Sequence, residues 1–286
     1  MSSKIFLPQA LLMIAILTGC SSNPPAGSAM SMANSPVTTE WARAKLAKSP
    51  RHHEYVTVKN GNREVLCWVV YPEVGNKAPA VLVLHDSSGL TDFGRLSADE
   101  LAAQGYIAIA PDFLSGYGPN GGGTSSFLTD NDEGLALKKL PVEQVIGDIN
   151  AAAEYVKALP SANGKLVVVG FCWGGSQASI AACVRKDLQA VFVFYGWPPK
   201  PADGIQHIQC PVYGFYGELD ERVTVTVPQG QVDMKAGGKI FEPIIYAGAG
   251  HGFMAHGEPE YPDATPADRK AHDEAWVRLK GLLKGI

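Results

Sequence analysis

The chain has 286 residues, of which 46% are hydrophobic and 18% charged, with a formal net charge of −4 at pH 7. No basic run is present, which points away from nucleic acid as a partner. The length is ample for a substantial buried core.

The N-terminus, MSSKIFLPQALLMIAILTGC, sets one lysine before about ten apolar residues and closes with Leu17-Thr18-Gly19-Cys20. That stretch is too short to span a bilayer and has the form of a secretory signal over residues 1–19. LTGC resembles the lipobox of bacterial lipoproteins, which implies cleavage before Cys20 and lipidation of its sulfur. Ordinary secretion with cleavage elsewhere is the other reading. Lipidation would hold the chain at a membrane of the bacterial cell envelope, facing the periplasm, and Ser21-Ser22 point to the outer membrane. Loss of Lys4 with the signal takes the net charge from −4 to −5. Residues 20–40, rich in Ser, Pro, Ala, Gly and Asn, read as a flexible tether, and residues 41–286 as one α/β domain.

Within that domain, Glu54 to Lys59 and Glu64 to Tyr71 read as two strands joined by a Lys59-Asn60-Gly61-Asn62 turn. Ala80 to His85 is the first fully buried strand, and it runs into the loop Asp86-Ser87-Ser88-Gly89. A helix over Leu96 to Gln104 and a strand over Tyr106 to Ala110 follow. The Gly-rich loop Tyr117 to Ser125 lacks the Gly-Lys-Ser/Thr of a phosphate cradle and reads as a lid or a plain surface loop. Val142 to Ala158 is a long helix, then come the strand around Leu166-Val167-Val168-Val169 and the helix Ser176 to Cys183. Strands at Ala190 to Tyr195, Val212 to Tyr216 and Lys239 to Tyr246, and a last amphipathic helix from Ala267 to Leu283, complete the chain. This alternation predicts an α/β fold: a mostly parallel eight-stranded sheet with helices on both faces. In such sheets ligands bind beyond the carboxyl ends of the strands.

The segment Gly170-Phe171-Cys172-Trp173-Gly174-Gly175 joins the central strand to its helix. Glycines two before and two after a reactive residue, between strand and helix, form the nucleophile-elbow pattern, here with cysteine at the apex. A lone cysteine after an apolar strand is usually a small buried hydrophobe, but the three glycines favour a nucleophile. Helix N-terminal amides beside it can receive a developing oxyanion.

A thiol nucleophile needs a base, and the base an orienting acid, in the chain order nucleophile, acid, base. Asp220 lies 48 residues beyond Cys172 in Gly217-Glu218-Leu219-Asp220, and His251 lies 31 beyond Asp220 in Gly248-Ala249-Gly250-His251-Gly252-Phe253. Both follow predicted strands. Glu218 and Glu221 compete with Asp220 for the acid position. His272 is placed on the exposed face of the last helix, and His85 at a strand end where it could line the cleft. Cys67, Cys183 and Cys210 read as buried hydrophobes, with a disulfide among them a lesser possibility. No second cysteine stands at C-x-x-C spacing beside Cys172, which sets a thiol redox role aside.

Together GFCWGG, GELD, GAGHGF and APDF (Ala110 to Phe113) resemble the dienelactone hydrolase family of α/β-hydrolases, over the chain from about Trp41 to the end. The resemblance implies hydrolysis of a small-molecule ester or lactone by a Cys172-His251-Asp220 triad, with neither metal nor cofactor. It also implies an acid in the loop after the first buried strand that pairs with the resting thiol, followed by an oxyanion-hole amide. Asp86 occupies that acid position with a shorter side chain than the family's Glu, and an ordinary turn-capping Asp is its other reading. The backbone N–H groups of Ser87 and Trp173 would form the oxyanion hole. Dienelactone-cleaving members carry an arginine shortly after the histidine. Here Gly252-Phe253-Met254-Ala255-His256 holds none, which points away from dienelactone itself. Trp173, Trp197 and Phe253 would make the cleft apolar, although Trp197 fits a packing role as well. The rival class is a lipoprotein that keeps the hydrolase shell and binds a ligand or partner without turnover.

Overall fold

Hydrophobic alternation in the central strands decides how the layers stack. In the computed structural model, which describes residues 36–286, Leu166 and Val168 face one helical layer while Val167 and Val169 face the other. Successive strand side chains point to opposite faces, so a continuous apolar run is the signature of a strand covered twice. The elements in order are α1 (Pro36–Leu46), β1 (His53–Asn60), β2 (Arg63–Val70), β3 (Ala78–Leu84), α2 (Asp92–Ala102) and β4 (Ile107–Pro111). Then come α3 (Asp130–Leu137), α4 (Val142–Ala158), β5 (Ala162–Phe171), α5 (Trp173–Val184) and β6 (Leu188–Phe194). The chain closes with β7 (Val212–Gly217), α6 (Val227–Ala236), β8 (Phe241–Tyr246), α7 (Phe253–His256) and α8 (Pro266–Leu283).

The sheet has eight strands in the order β1-β2-β4-β3-β5-β6-β7-β8. β1 pairs antiparallel with β2 and β2 with β4, and every later pairing is parallel. Val145, Ile149 and Val156 of α4, Ala178 and Ala182 of α5 and Met234 of α6 cover one face. Trp41 of α1, Phe93 and Leu101 of α2 and Trp276 and Leu279 of α8 cover the other. Each fully buried Leu, Ile or Val side chain contributes about 1.5–3 kcal/mol, and the central strands consist of little else. β5 lies mid-sheet, so the elbow after it opens at the centre of the carboxyl edge.

Residues 1–35, which hold the stretch read as a signal, most of that read as a tether, and Cys20, lie outside the described residues. Among the described residues no helix is long and apolar enough to cross a membrane. Helix α1 begins at Pro36, inside the stretch read as tether. Tertiary contacts account for it: Trp41 packs on Phe93 at 6.4 Å between ring centroids, and Arg43 Nε donates to Asp92 at 3.0 Å. Lys45 Nζ reaches Glu258 at 2.5 Å. The last helix starts where its cap predicts, with Thr265 accepting Asp268 N–H at 3.0 Å and Pro266 in the first turn.

His272 corrects the sequence reading. It is buried, one turn before Trp276 on the inward stripe of α8, with Nδ1 3.0 Å from the Asp273 carboxylate and Nε2 3.5 Å from Glu258. Burial works against its charge, but the two carboxylates outweigh it and raise its pKa. Cys67, Cys183 and Cys210 are free and buried, and burial pushes the Cys183 and Cys210 thiols up to about 12 and 11. They are inert side chains of the core.

One buried ion pair ties the hairpin to the helical layer. Asp148 is fully buried and accepts from Arg63 Nε at 3.0 Å and Asn60 Nδ2 at 2.9 Å. Arg63 also donates to the carbonyls of Ser115 at 2.6 Å and Phe113 at 2.9 Å. Arg63→Ala strands a buried carboxylate, so urea unfolding should show a loss of about 3–5 kcal/mol. A change below about 1 kcal/mol would mean that water replaces the guanidinium.

Candidate active site

Cys172 stands between β5 and α5 with φ 53° and ψ −113°, a conformation that costs about 1–3 kcal/mol for a residue with a side chain. Close approach of three backbones holds it there. A Cβ on Gly174 would lie 2.2 Å from Leu84 O and 2.3 Å from His85 O, so only glycine lets the elbow meet the end of β3. On the other side, a Cβ on Gly175 would lie 2.7 Å from Phe194 O. Cys172 N–H donates to Phe194 O at 2.9 Å and Ser176 N–H to Cys172 O at 3.1 Å, fixing both flanks of the apex. The sulfur is left half-buried at the head of α5.

The structure brings the three predicted residues into one hydrogen-bonded line. His251 Nε2 is 3.0 Å from Cys172 Sγ, and His251 Nδ1 is 2.5 Å from Asp220 Oδ2. Asp220 is buried, and its second oxygen accepts Val223 N–H at 3.2 Å. Burial opposes its charge, but the hydrogen bond from His251 holds its pKa below the ordinary value. Burial likewise opposes the His251 charge. The Asp220 carboxylate and the Cys172 sulfur outweigh it and raise the imidazole to about 9. The ring is therefore held between the Asp220 carboxylate and the Cys172 sulfur.

Glu218 and Glu221 are exposed, whereas Asp220 is buried with its carboxylate on His251. Glu218 plays a different part, since its Oε2 accepts Gly248 N–H at 2.8 Å and so ties the acid loop to the base loop. Leu219 N–H donates to Ala249 O at 2.9 Å, and Asp268 accepts Gly250 N–H at 2.9 Å. Three contacts from two elements thus fix the backbone around His251.

The loop after β3 faces the elbow. Asp86 Oδ1 accepts Ser88 N–H at 2.8 Å, and Asp86 O accepts Gly89 N–H at 3.3 Å, a turn that Gly89 closes at φ 79°. Burial raises the Asp86 pKa, with Ser88 and His85 working the other way. Among the described residues no hydrogen bond joins Asp86 to the Cys172 sulfur, which faces His251. The Trp173 amide is the first of α5, where a helix has no internal acceptor to offer.

Two residues predicted to line the pocket do not. His85 is only 1% exposed, with both ring nitrogens engaged by backbone. Phe253 is fully buried and packs edge-on against Tyr195 at 5.3 Å, behind the histidine loop. A period-2 strand or a loop motif does not reveal which way a residue past its end will turn. Trp197 is half-buried, its amide donating to Ser176 Oγ at 2.9 Å and its carbonyl accepting from Ser179 Oγ at 2.7 Å, while Lys200 lies over the ring at 4.8 Å.

Sequence reasoning missed Tyr195, which sits at φ 39° after β6 with its ring 5.0 Å from that of His251. Its signal was position: it follows a buried strand at the carboxyl edge and precedes Gly196. A Cβ on Gly196 would lie 2.4 Å from the Gly175 backbone, so the β6 end and the elbow press together and Tyr195 absorbs the strain. His256 was also passed over. It packs over Gly252, where a Cβ would lie 3.2 Å from the imidazole, and against Tyr261 at 4.8 Å.

Known proteins resemble this chain in sequence and fold. The model of the "Dienelactone hydrolase family" matches residues 67–286. A chain from Escherichia coli O157:H7 named "Putative carboxymethylenebutenolidase" is 30% identical over 223 residues, covering 73% of this chain and 79% of its own. A chain of the same name from Methylorubrum extorquens is 28% identical over 224 residues, covering 74% and 75%. Among solved structures, a dienelactone hydrolase-like promiscuous phosphotriesterase from metagenomic libraries superposes with a TM-score of 0.68 at 20% identity, covering 82% of this chain and 98% of its own. That last likeness shows the fold alone. The eight-stranded α/β-hydrolase sheet, the family match over residues 67–286 and these relatives make the chain a hydrolase that belongs to the dienelactone hydrolase family.

Proposed function

We propose that this hydrolase cleaves carboxylic esters or lactones by acyl transfer to Cys172, through an acyl-thioester intermediate. The unbroken line Asp220–His251–Cys172 carries the reading. The sulfur attacks the substrate carbonyl, and the carbonyl electron pair moves to oxygen as its proton resides on His251 Nε2. The amides of Ser87 and Trp173 receive the oxyanion; such donors are each worth about 10²–10³ in rate. Collapse expels the alkoxide, which takes the proton from His251. A water then gives His251 a proton and attacks the thioester, and the sulfur leaves to restore the pair. Asp220 orients the ring and stabilises its charged form throughout. Residues 252–256 offer no guanidinium for a substrate carboxylate, which favours an uncharged ester or lactone over dienelactone. Turnover of p-nitrophenyl acetate and of uncharged five- and six-membered lactones by the purified chain tests this. Failure with every member of that panel would remove the ester and lactone reading and leave a ligand-binding role.

We also propose that Cys20 carries lipid and holds the enzyme at the bacterial envelope, on the support of the LTGC motif and the polar stretch after it. Radiolabelled palmitate should enter the wild type and be lost from Cys20→Ser. Label retained by that variant would contradict the assignment.

A further inference from the structure

The neighbours of His85 dictate its tautomer. Phe113 N–H donates to Nε2 at 3.2 Å, so that nitrogen carries no proton. The proton must be on Nδ1, which donates to the Asp86 carbonyl oxygen at 2.8 Å. Full burial, working against the charged form, keeps the ring neutral in this arrangement. The imidazole is thus a rigid strut between the APDF backbone and one specific carbonyl.

That carbonyl shares a planar, trans peptide unit with the Ser87 N–H. Fixing the direction of one end fixes the direction of the other. A second bond to Asp86 O, from Gly89 N–H, is long at 3.3 Å, so the histidine supplies the tighter hold. The same ring lies on Trp173, 5.7 Å between centroids and 21° between planes, and Trp173 provides the second amide. The His85 carbonyl meets the elbow as well, since a Cβ on Gly174 would be 2.3 Å from it. One buried residue therefore bonds the peptide that carries the Ser87 amide, stacks its ring on the Trp173 indole and meets the elbow through its carbonyl.

We propose that His85 is the positioning residue of the oxyanion hole, its Nδ1–H holding the Asp86–Ser87 peptide so that the Ser87 and Trp173 amides converge. The proposal rests on the acyl-transfer reading above. Leucine at this position fills similar space but leaves Phe113 N–H without its acceptor and the Asp86–Ser87 peptide free to rotate. Glutamine has one acceptor and one donor and can serve both partners.

The test uses the full chain as wild type, His85→Leu and His85→Gln, with two readouts. One is kcat and KM for p-nitrophenyl acetate. The other is the rate at which iodoacetamide alkylates Cys172, followed by mass spectrometry of its peptide. Alkylation occurs at a saturated carbon and develops no carbonyl oxyanion, yet it needs the same sulfur and imidazole. His85→Leu should lower kcat about 10²-fold with KM nearly unchanged, leave alkylation within about threefold, and be largely rescued in His85→Gln. Should His85→Leu not fold, His85→Asn, whose amide is too short to reach both partners, takes its place. Parallel loss of alkylation and turnover would overturn the proposal, because His85 would then support the whole site. Unchanged kcat would overturn it as well. A wild type without turnover would defeat the acyl-transfer reading itself, and this inference with it.

Discussion

Cys172→Ala should abolish turnover, by at least about 10⁴-fold in kcat, while leaving the melting temperature within a few degrees. The sulfur ends the line, half-buried at the head of α5, and no hydroxyl replaces it: Ser176 Oγ, one turn into α5, accepts Trp197 N–H at 2.9 Å. The elbow itself does not need the thiol. Its geometry follows from the contacts of Gly170, Gly174 and Gly175, so removal of Sγ leaves a shallow gap at a half-buried position. Relief of a side chain held at φ 53° is small because alanine keeps its Cβ. Residual turnover above about a tenth of wild type would remove the sulfur from the mechanism.

Asp220→Asn carries the second largest expected effect, about 10²–10⁴-fold in kcat/KM. The amide preserves shape but removes the charge that fixes the ring and favours the imidazolium. The pH dependence follows from the sign of the shift. His251 is raised to about 9 from an ordinary 6.5, so its charged form persists up to about pH 9 and is lost above. The kcat/KM profile of the wild type should therefore fall on the alkaline side near pH 9. The stabilisation that accompanies the raised pKa is fully present below about pH 6.5 and is lost as pH climbs through 9. In Asp220→Asn both the alkaline limb and the stability slope should move to lower pH. A limb that stays at pH 9 in the variant would assign it to another group.

Much of this site was legible in the chain because its constraints are local. Gly170, Gly174 and Gly175 around Cys172 are demanded by backbone crowding within six residues, and such crowding writes itself directly into sequence. Asp220 and His251 were found by order along the chain and position after strands, which the parallel topology converts into proximity. The chain favoured Asp220 over Glu218 and Glu221 by its place after the strand, and the structure adds the difference in burial between them. His85, Phe253 and His272 were misplaced for one shared reason. Each stands where periodicity ends or where a polar residue occupies an inward stripe, and only the packed neighbours decide its direction. Helix α6 went unread because Pro228 and Gly230 look like breakers. The proline sits in the first turn, where its missing N–H costs nothing, and Gly230 lets Pro198 approach to where a Cβ would be 2.7 Å away. Helix α1 exists through contacts with α2 and Glu258 that no local pattern encodes.

Passage of an acyl group through the sulfur of Cys172 is the step on which the whole mechanism depends. Rapid acid quench of the enzyme during turnover of p-nitrophenyl acetate, followed by peptide mapping, tests it most directly. One acetyl group is expected on the peptide bearing Cys172, released by neutral hydroxylamine as a thioester is, and accumulating before steady state. Turnover accompanied by acetyl on any other residue, or by none on Cys172 at every quench time, would contradict it.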